Sequence, residues 1–507
     1  MKILYSLLLV CLVFSVNNHL HAQAALDPNY GNNGTTVIDF ATDYDQAFDS
    51  YVYDDGRALI MGRVYVGPAY HIDLCRVLAD GSPDPSFGNN GRAEFPDFSF
   101  TNGLSVRNDG KIMVVGAMNT GANVDMVALL VNENGTIDTD FGDNGFLAIT
   151  VSPDQTDSAF GIHKASGNRM LITGLVGPFQ DANSCVIMID ENGNLDPSFS
   201  DDGILIFGND NYDDYVADAV LLEDESLLVL SAATINGSET GLIFKFDNTG
   251  NPDVDFANAG SFSIYANGYE MGVNSMEVLS NGNIAITGSA YDGGNGVTQV
   301  LMLNEAGEIV TTFGTNGMAT ASLGNEDLWG YQLYEQWNGK LVIMGLSSEF
   351  ALTRLNTDGT LDLTFDGDGV WIPAVHPLYE SMVGGRMLAG DHLVICGSVY
   401  SAMADMIFMK FIMDDGASVA ENNLTKDFSV FPNPTNNSFF TLTISNSYNS
   451  AYDVQLINVL GEVVMDFPQM TGPQQLLEIP SSIGSGHYFV RLKAENWYTT
   501  QTLLIHR

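Results

Sequence analysis

Six acidic residues stand 10–12 positions ahead of a tight turn in successive stretches of the chain: Asp45, Asp157, Asp214, Glu270, Asp327 and Glu380. Aromatic residues sit beside several of them, namely Tyr44, Tyr215, Tyr269, Trp329 and Tyr379. Carboxylates accept hydrogen bonds and ligate hard cations, and aromatic rings offer flat apolar platforms. Brought together, such a set would hold a cation or stack on sugar rings. The competing reading is that each carboxylate accepts backbone N–H bonds and orders its own loop. Repetition in nearly every unit favours that second reading, and leaves the non-repeated Tyr and Trp residues as the better binding candidates.

Other chemistry is thin. There is no Gly-x-Ser-x-Gly elbow and no His-Glu-x-x-His, and the eight histidines are dispersed without metal-ligand spacing. Gly31-Asn32-Asn33-Gly34 lacks the following helix that a phosphate site needs. With 62 acidic residues, close carboxylate pairs arise by chance, so glycosidic acid/base work is not legible from composition. Two oxygen-rich runs offer a structural calcium site: "IDTDFGDNG" with Asp138, Asp140 and Asp143, and "LDLTFDGDG" with Asp362, Asp366 and Asp368. Neither follows the EF-hand order, and turn capping accounts for the same residues.

The elements that position these residues come from a repeat. Nine-residue anchors of the type "PDPSFGNNG" end at Gly34, Gly91, Gly145, Gly203, Gly260, Gly317 and Gly369, at intervals of 52 to 58 residues. A fixed period of this kind marks a repeat architecture. Each unit reads as a short strand after the anchor, a second strand ending in a tight turn such as Asp55-Gly56 or Asn281-Gly282, a third strand, an irregular loop and a fourth strand. Seven fourth strands can be counted, the last ending at Gly416. The expected fold is therefore all-β, a seven-bladed β-propeller. Two closures are open: whole blades, or a terminal strand completing a blade begun at the other end. On this reading the anchors join one blade to the next, and Phe87 packs between blades. Anchors and tight turns share one face, and the irregular loops share the other, where binding is expected.

The D-x-[ST]-F-G-x-x-G anchor with [DN]-G turns at this period resembles the bacterial delta-60 repeat, a propeller-like module of secreted proteins. The resemblance covers about residues 26–416 and implies no common activity.

Near Gly416 the period stops. Residues 417–427 read as a linker, and residues 428–507 alternate apolar and polar residues over six or seven short strands, a small Ig-like β-sandwich. Its motifs are Phe431-Pro432-Asn433-Pro434-Thr435, a run from Asn458 to Val464 containing Gly461, and a run from Gly486 to Leu492 containing Tyr488. They closely resemble the type A C-terminal sorting domain of the type IX secretion system. The resemblance implies a Bacteroidota-type secreted protein. It further implies the outer-membrane translocon and the sorting peptidase as partners, and release or surface attachment as the destination.

The amino terminus agrees with export. Lys2, an apolar run over Ile3–Val16 and Ala22-Gln23-Ala24 read as a signal peptide, residues 1–24, placing the propeller at 25–416. Three cysteines then remain, Cys75, Cys185 and Cys396, which suit buried apolar positions rather than a disulfide framework. Residues 25–416 carry 13 Lys and Arg against 55 Asp and Glu, a net charge of −42. That balance speaks against nucleic acid and anionic membranes as partners. The expected function is non-enzymatic recognition or adhesion of a glycan or protein at the cell surface. The alternative is a polysaccharide-active hydrolase or lyase with its site at the central channel.

Overall fold

The computed structural model describes residues 24–506 apart from 40–44, 67–68, 96–101, 120–123, 153–154, 178–181, 209–213, 236–237, 374–379, 401–403, 414–427, 432, 434, 436–438, 445–451, 459–462, 473, 481 and 495–496. Residues 1–23, all but the last of the segment expected as a signal peptide, lie outside the described residues. The chain divides into two compact units, after Gly416.

Among the described residues of the first unit, seven antiparallel sheets follow one another. Sheet 1 runs in order through Asp45–Val52, Ala58–Val66, Ala69–Val77 and Arg92–Phe95. The first strands of sheets 2 to 7 are Gly103–Val106, Asp157–Lys164, Asp214–Leu221, Gly272–Val278, Trp329–Glu335 and Glu380–Leu388. These seven first strands touch in sequence, and that of sheet 7 touches that of sheet 1, so they form a closed inner ring. Each junction between neighbouring sheets has its own apolar cluster. At the junction of sheets 7 and 1, for example, Ala47, Ile60 and Cys75 pack with Cys396, Met406 and Phe408. Removing such side chains from water, at roughly 1.5–3 kcal/mol each, holds the sheets face to face. The three cysteines lie in strands, buried and unpaired.

The ring is closed by the amino terminus. Thr35–Ile38 pairs with Met406–Met409 of the last sheet as its outer strand, and Ala24–Leu26 pairs with Phe411–Met413 beside it. Of the two closures left open by the sequence, the structure uses the terminal strand. The sequence boundary after Ala24 falls inside a strand, since Ala24 pairs with Met413.

One expectation is corrected. The short strand after each anchor does not begin a new sheet. Arg92–Phe95, which follows "PDPSFGNNG", pairs with Ile72–Cys75 and is the fourth strand of the same sheet. The anchor is thus the connection between third and fourth strands, and the passage to the next sheet runs through the segment carrying the repeated acidic residues. The hydrophobic pattern shows where strands are, but only pairing assigns a strand to a sheet. The division into two faces survives the correction. Anchors and tight turns share one end of the sheets. The opposite end carries the irregular hairpins between second and third strands and the passages between sheets.

The second unit is a sandwich of a three-stranded and a four-stranded sheet around Phe440, Leu442, Val454, Leu456, Val490 and Leu503.

Candidate functional site

The anchors show what the repeated residues do. In all seven, the N–H of one third-strand residue donates to the carbonyl of the last anchor Gly, as Arg76 does to Gly91 at 2.8 Å. The carbonyl of that same residue accepts from the anchor's second residue, as Arg76 does from Asp84 at 3.0 Å. Where that second residue is aspartate, a base faces it. Lys410, Arg76, Lys245 and Arg354 reach Asp27, Asp84, Asp253 and Asp362 from the third strand at 3.3, 2.8, 3.0 and 2.7 Å. In sheets 2 and 3 the third-strand residue is Leu130 or Met188, and Lys111 or Arg169 comes instead from the tight turn to Asp138 or Asp196. In sheet 5 both charges are missing together: Met302 stands opposite Val310 with the backbone bonds unchanged. The bases also lie over the anchor aromatics, Arg76 at 4.6 Å from the Phe87 ring centre and Arg354 at 4.5 Å from that of Phe365.

The anchor aromatics reach the neighbouring sheet, as expected of Phe87. The Phe87 ring abuts Gly135, whose φ of +87° and lack of a Cβ fit it against that ring. Beside it the Gly88 N–H donates to the Asn134 carbonyl at 2.8 Å. The calcium candidates belong to this scheme. Asp362 accepts from the Thr364 hydroxyl, Lys340 and Arg354 at 2.6, 3.0 and 2.7 Å, and Asp138 accepts from Lys111 and the Asp140 N–H. Asp143 accepts from Asn144, and Asp368 from the Val370 N–H. Burial alone would raise the Asp362 carboxyl, but Thr364, Lys340 and Arg354 bring it down to about 2. Asp138 is thus paired with Lys111, and Asp362 with Lys340 and Arg354.

The inner ring has a second set of ties. In six sheets the first strand carries a bulge against the second, at Phe48, Phe160, Ala217, Asn274, Tyr331 and Val383. Immediately after the bulge, Asp49 accepts from the Leu104 N–H of the next sheet at 2.7 Å, and Asp218 accepts from the Met276 N–H at 2.8 Å. In the sheets that follow each of these, asparagine ties the ring onward: Asn102 donates to the Ala159 carbonyl at 2.9 Å and Asn274 to that of Gly330 at 2.7 Å. Burial pushes Asp49 up to about 7 and Asp218 to about 6, against the pull of these N–H donors. Glu277 is pushed up to about 7 by burial, then by Asp218 and Glu335, with Arg386 opposing. Sequence reading missed these ties because the residue after the bulge does not repeat: it is Asp49 or Asp218 in two sheets but Gly161, Ser275, Gln332 and Gly384 in others.

The repeated acidic residues fall into two groups. Asp45, Asp157, Asp214 and Glu380 open their strands, two residues before the paired position that precedes the bulge. In sheets 5 and 6 that position is held by buried Met271 and Leu328, and Glu270 and Asp327 lie one residue outside it, exposed. Asp157 is buried and accepts from the Val151 and Ser152 N–H groups at 2.7 and 2.9 Å, which orders the passage into its own sheet. Asp45, also buried, brings a carboxylate oxygen within 4.8 Å of those of Asp39 and Asp405, at the seam where the ring closes. Among the described residues this is the set with the geometry to ligate a cation, supplying three of the six to eight oxygens calcium takes. Tyr44 and Tyr379 lie outside the described residues, as do the side chains of Asp214 and Glu380. Tyr215 is exposed on its strand. The Tyr269 hydroxyl donates to the Asn316 carbonyl of the next anchor at 2.5 Å, so this ring is a brace between sheets.

Trp329 is different. It meets Tyr291 edge to face, with ring centres 5.2 Å apart at 78°, and Tyr291 is 74 % exposed. Tyr291 lies on the irregular hairpin of sheet 5, in the loop "YDGGNGV". The two sides are fastened together. Asp327 accepts from the Gly296 N–H at 2.7 Å, the Leu328 N–H donates to the Gly296 carbonyl at 3.0 Å, Asn295 donates to the Gly324 carbonyl at 2.9 Å, and the Thr298 hydroxyl donates to the Leu328 carbonyl at 3.1 Å. The indole lies directly on Gly296, where any side chain would collide with it. The result is a braced aromatic platform on the irregular face, and its Tyr291 half was legible only as a member of a variable loop.

In the second unit, Asn433 donates to the Thr502 carbonyl at 2.7 Å and accepts from the Leu504 N–H at 2.9 Å. Thr435 exchanges backbone bonds with Leu504 and His506. The motif around Asn433 therefore clamps the final strand. Gly486 opens the strand paired with it, and the Tyr488 hydroxyl donates to the Gly484 carbonyl at 3.2 Å. Pro432, Pro434 and Gly461 lie outside the described residues.

Residues 429–506 match the model of the secretion system C-terminal sorting domain, and residues 54–87, 107–141 and 336–365 match that of the domain of unknown function DUF5122, a β-propeller. A region matching the DUF5122 β-propeller model is thus followed by one matching the secretion-system sorting domain. Each DUF5122 segment runs from the neighbourhood of a tight turn to an anchor aromatic, Phe87, Phe141 or Phe365. The sorting domain directs export to the cell surface or the extracellular space. No helix among the described residues is long and apolar enough to cross a membrane. No curated protein matches the sequence. Among solved structures, the chain is similar to the polysaccharide lyase Uly1, at 10 % identity and a TM-score of 0.47 over 73 % of this chain and 90 % of that one. It is also similar to a Bacteroides caccae protein of unknown function, at 12 % identity and a TM-score of 0.35 over 60 % and 92 %. A third is the Aleuria aurantia lectin, at 9 % identity and a TM-score of 0.31 over 66 % and 97 %.

Proposed function

We propose that the propeller is a non-enzymatic recognition module, delivered to the cell surface or beyond by its sorting domain, that holds a glycan on its irregular face. The observation that carries this reading is the braced pair of Tyr291 and Trp329. Two aromatic faces held in fixed geometry at the surface lose little freedom on binding, which is what a sugar platform requires. The inner ring supports the same reading. Asp49 and Asp218, two carboxylates of that ring, each accept backbone N–H bonds on both oxygens. A cleft of about 210 Å³ beside the first strands of sheets 6 and 7 is lined by Tyr331, Met344, Gly345, Leu346, Phe350, Ser381 and Met382, with no carboxylate. The test is a glycan and protein array probed with the full chain and with Tyr291→Ala and Trp329→Ala variants, beside a polysaccharide hydrolase and lyase screen. Retention on glycans that both substitutions abolish is expected. Turnover of a polysaccharide without array binding would establish the enzymatic alternative instead.

A further inference from the structure

The distribution of positive charge narrows the ligand. Of the 13 Lys and Arg in residues 25–416, twelve lie in the tight turns, at the start of a fourth strand or near strand ends that run into the tight turns or the anchors: Arg57, Arg76, Arg92, Arg107, Lys111, Lys164, Arg169, Lys245, Lys340, Arg354, Arg386 and Lys410. All of these except Lys164 form ion pairs with aspartate or glutamate. The remaining one, Arg63, stacks on Phe48 at 4.9 Å. The irregular face is therefore rich in carboxylates and poor in bases. At the aromatic pair, Asp292 follows Tyr291, and Glu326 and Asp327 precede Trp329, all three exposed.

We infer that the Tyr291–Trp329 platform selects a glycan bearing free amino groups, a polymer of glucosamine type, over neutral sugars and against uronates or sulfated chains. The inference rests on the recognition reading above and specifies its ligand. The sugar ring's C–H face packs on one aromatic ring, and the ammonium lies against the other, where the ring quadrupole attracts it. Asp292 and Glu326 accept charge-assisted hydrogen bonds from the same ammonium. An anionic polysaccharide meets the opposite field, with no guanidinium in reach to bind it. The two ring centres lie 5.2 Å apart, which suits a glycan rather than the broad patch that a basic protein would need.

Calorimetric titration of the full chain tests this with three oligosaccharides of equal length: β-linked glucosamine, its N-acetylated form and a galacturonate, in buffer acidic enough to protonate the amines. The glucosamine oligomer is expected to bind about fivefold to tenfold more tightly than the acetylated one, with the preference shrinking as salt is raised. The galacturonate should not bind. Trp329→Ala should abolish both affinities, whereas Asp292→Asn with Glu326→Gln should erase the preference and keep the weaker binding. Equal affinity for the free and acetylated oligomers, or binding of the galacturonate, overturns the inference while leaving glycan recognition standing. Glucosamine binding that survives Trp329→Ala is charge attraction to the whole face and also overturns it. Failure of all three oligosaccharides, with no other glycan retained on the array, overturns the recognition reading itself.

Discussion

The two faces of this propeller are built on opposite principles. On the anchor face, seven copies of one connection repeat the same backbone bonds, aspartates are answered by bases in six of them, and aromatics are pinned against neighbouring glycines. On the irregular face no two hairpin sequences agree, bases are few, and an aromatic pair is left open to solvent. Repetition accompanies structure, and departure from repetition accompanies the candidate site. The lesson is sharpest where the anchor face itself departs. Sheet 5 keeps the anchor backbone with Met302 and Val310 in place of a base and an aspartate. The backbone bonds and the aromatic therefore suffice for the turn, and the ion pair is an addition that must be made or omitted as a whole.

That contrast gives the largest expected effect. The side chains of Arg76 and Asp84 are almost fully buried. Arg76→Met alone strands the Asp84 charge and should cost about 3–5 kcal/mol of unfolding free energy. Asp84→Val alone strands Arg76 and should cost a similar amount. The double variant copies sheet 5 and should lie within about 1 kcal/mol of the parent, because the desolvation of both ions is relieved together. Denaturant midpoints of the four proteins measure the cycle. Additive losses in the double variant would show that the anchor needs its charges and that sheet 5 is compensated elsewhere.

The inner ring gives the next effect, through pH. Asp49 and Glu277 are both pushed up to about 7 in the folded protein. A carboxyl whose folded value lies above its unfolded one keeps its proton longer in the folded state. Stability therefore falls as pH rises from the ordinary carboxylate range to about 7. The anchor aspartates run the other way. With Asp362 brought down to about 2, its contribution is present above the ordinary carboxylate range and is lost as pH falls towards 2. Thermal unfolding should thus be most favourable for the fold in mildly acid buffer and decline on both sides. Self-repulsion at a net charge of −42 adds to the decline above it. Glu277→Gln separates the two, and should remove about 1–2 kcal/mol of the fall between pH 5 and pH 8. An unchanged slope would assign the whole fall to surface repulsion.

The two faces also differ in how far they could be read from sequence. The anchors were legible because their chemistry is local: Asp, Phe and Gly at fixed offsets report a turn whatever surrounds them. Strand membership was not, because Arg92–Phe95 looks the same whether it ends one sheet or begins the next. The acidic residues illustrate a subtler loss. Counting back from the tight turn placed Glu270 and Asp327 with Asp45 and Asp157, yet a shift of one residue moves a side chain to the other side of a strand, and buried Met271 and Leu328 hold the equivalent position. Trp329 was found as a residue that does not repeat. Tyr291 was not singled out, because its partner lies 38 positions away and only the folded hairpin brings the rings together.

The smallest expected effect is the one that separates the faces most cleanly. Tyr291 packs its ring edge to face on Trp329 and is otherwise in solvent. Tyr291→Ala should shift the unfolding free energy by no more than about 0.5–1 kcal/mol, the value of one exposed aromatic contact. Phe87→Ala on the anchor face removes a ring of similar size that is wholly buried, and should cost about 3–5 kcal/mol. Both substitutions delete an aromatic group beside a neighbouring element, so burial, not residue type, is what differs. If Tyr291→Ala proves as damaging as Phe87→Ala, the pair is a brace like Tyr269 and the irregular face has lost its candidate platform. If the stability is kept while glycan retention is lost, the exposed ring serves the ligand and not the fold.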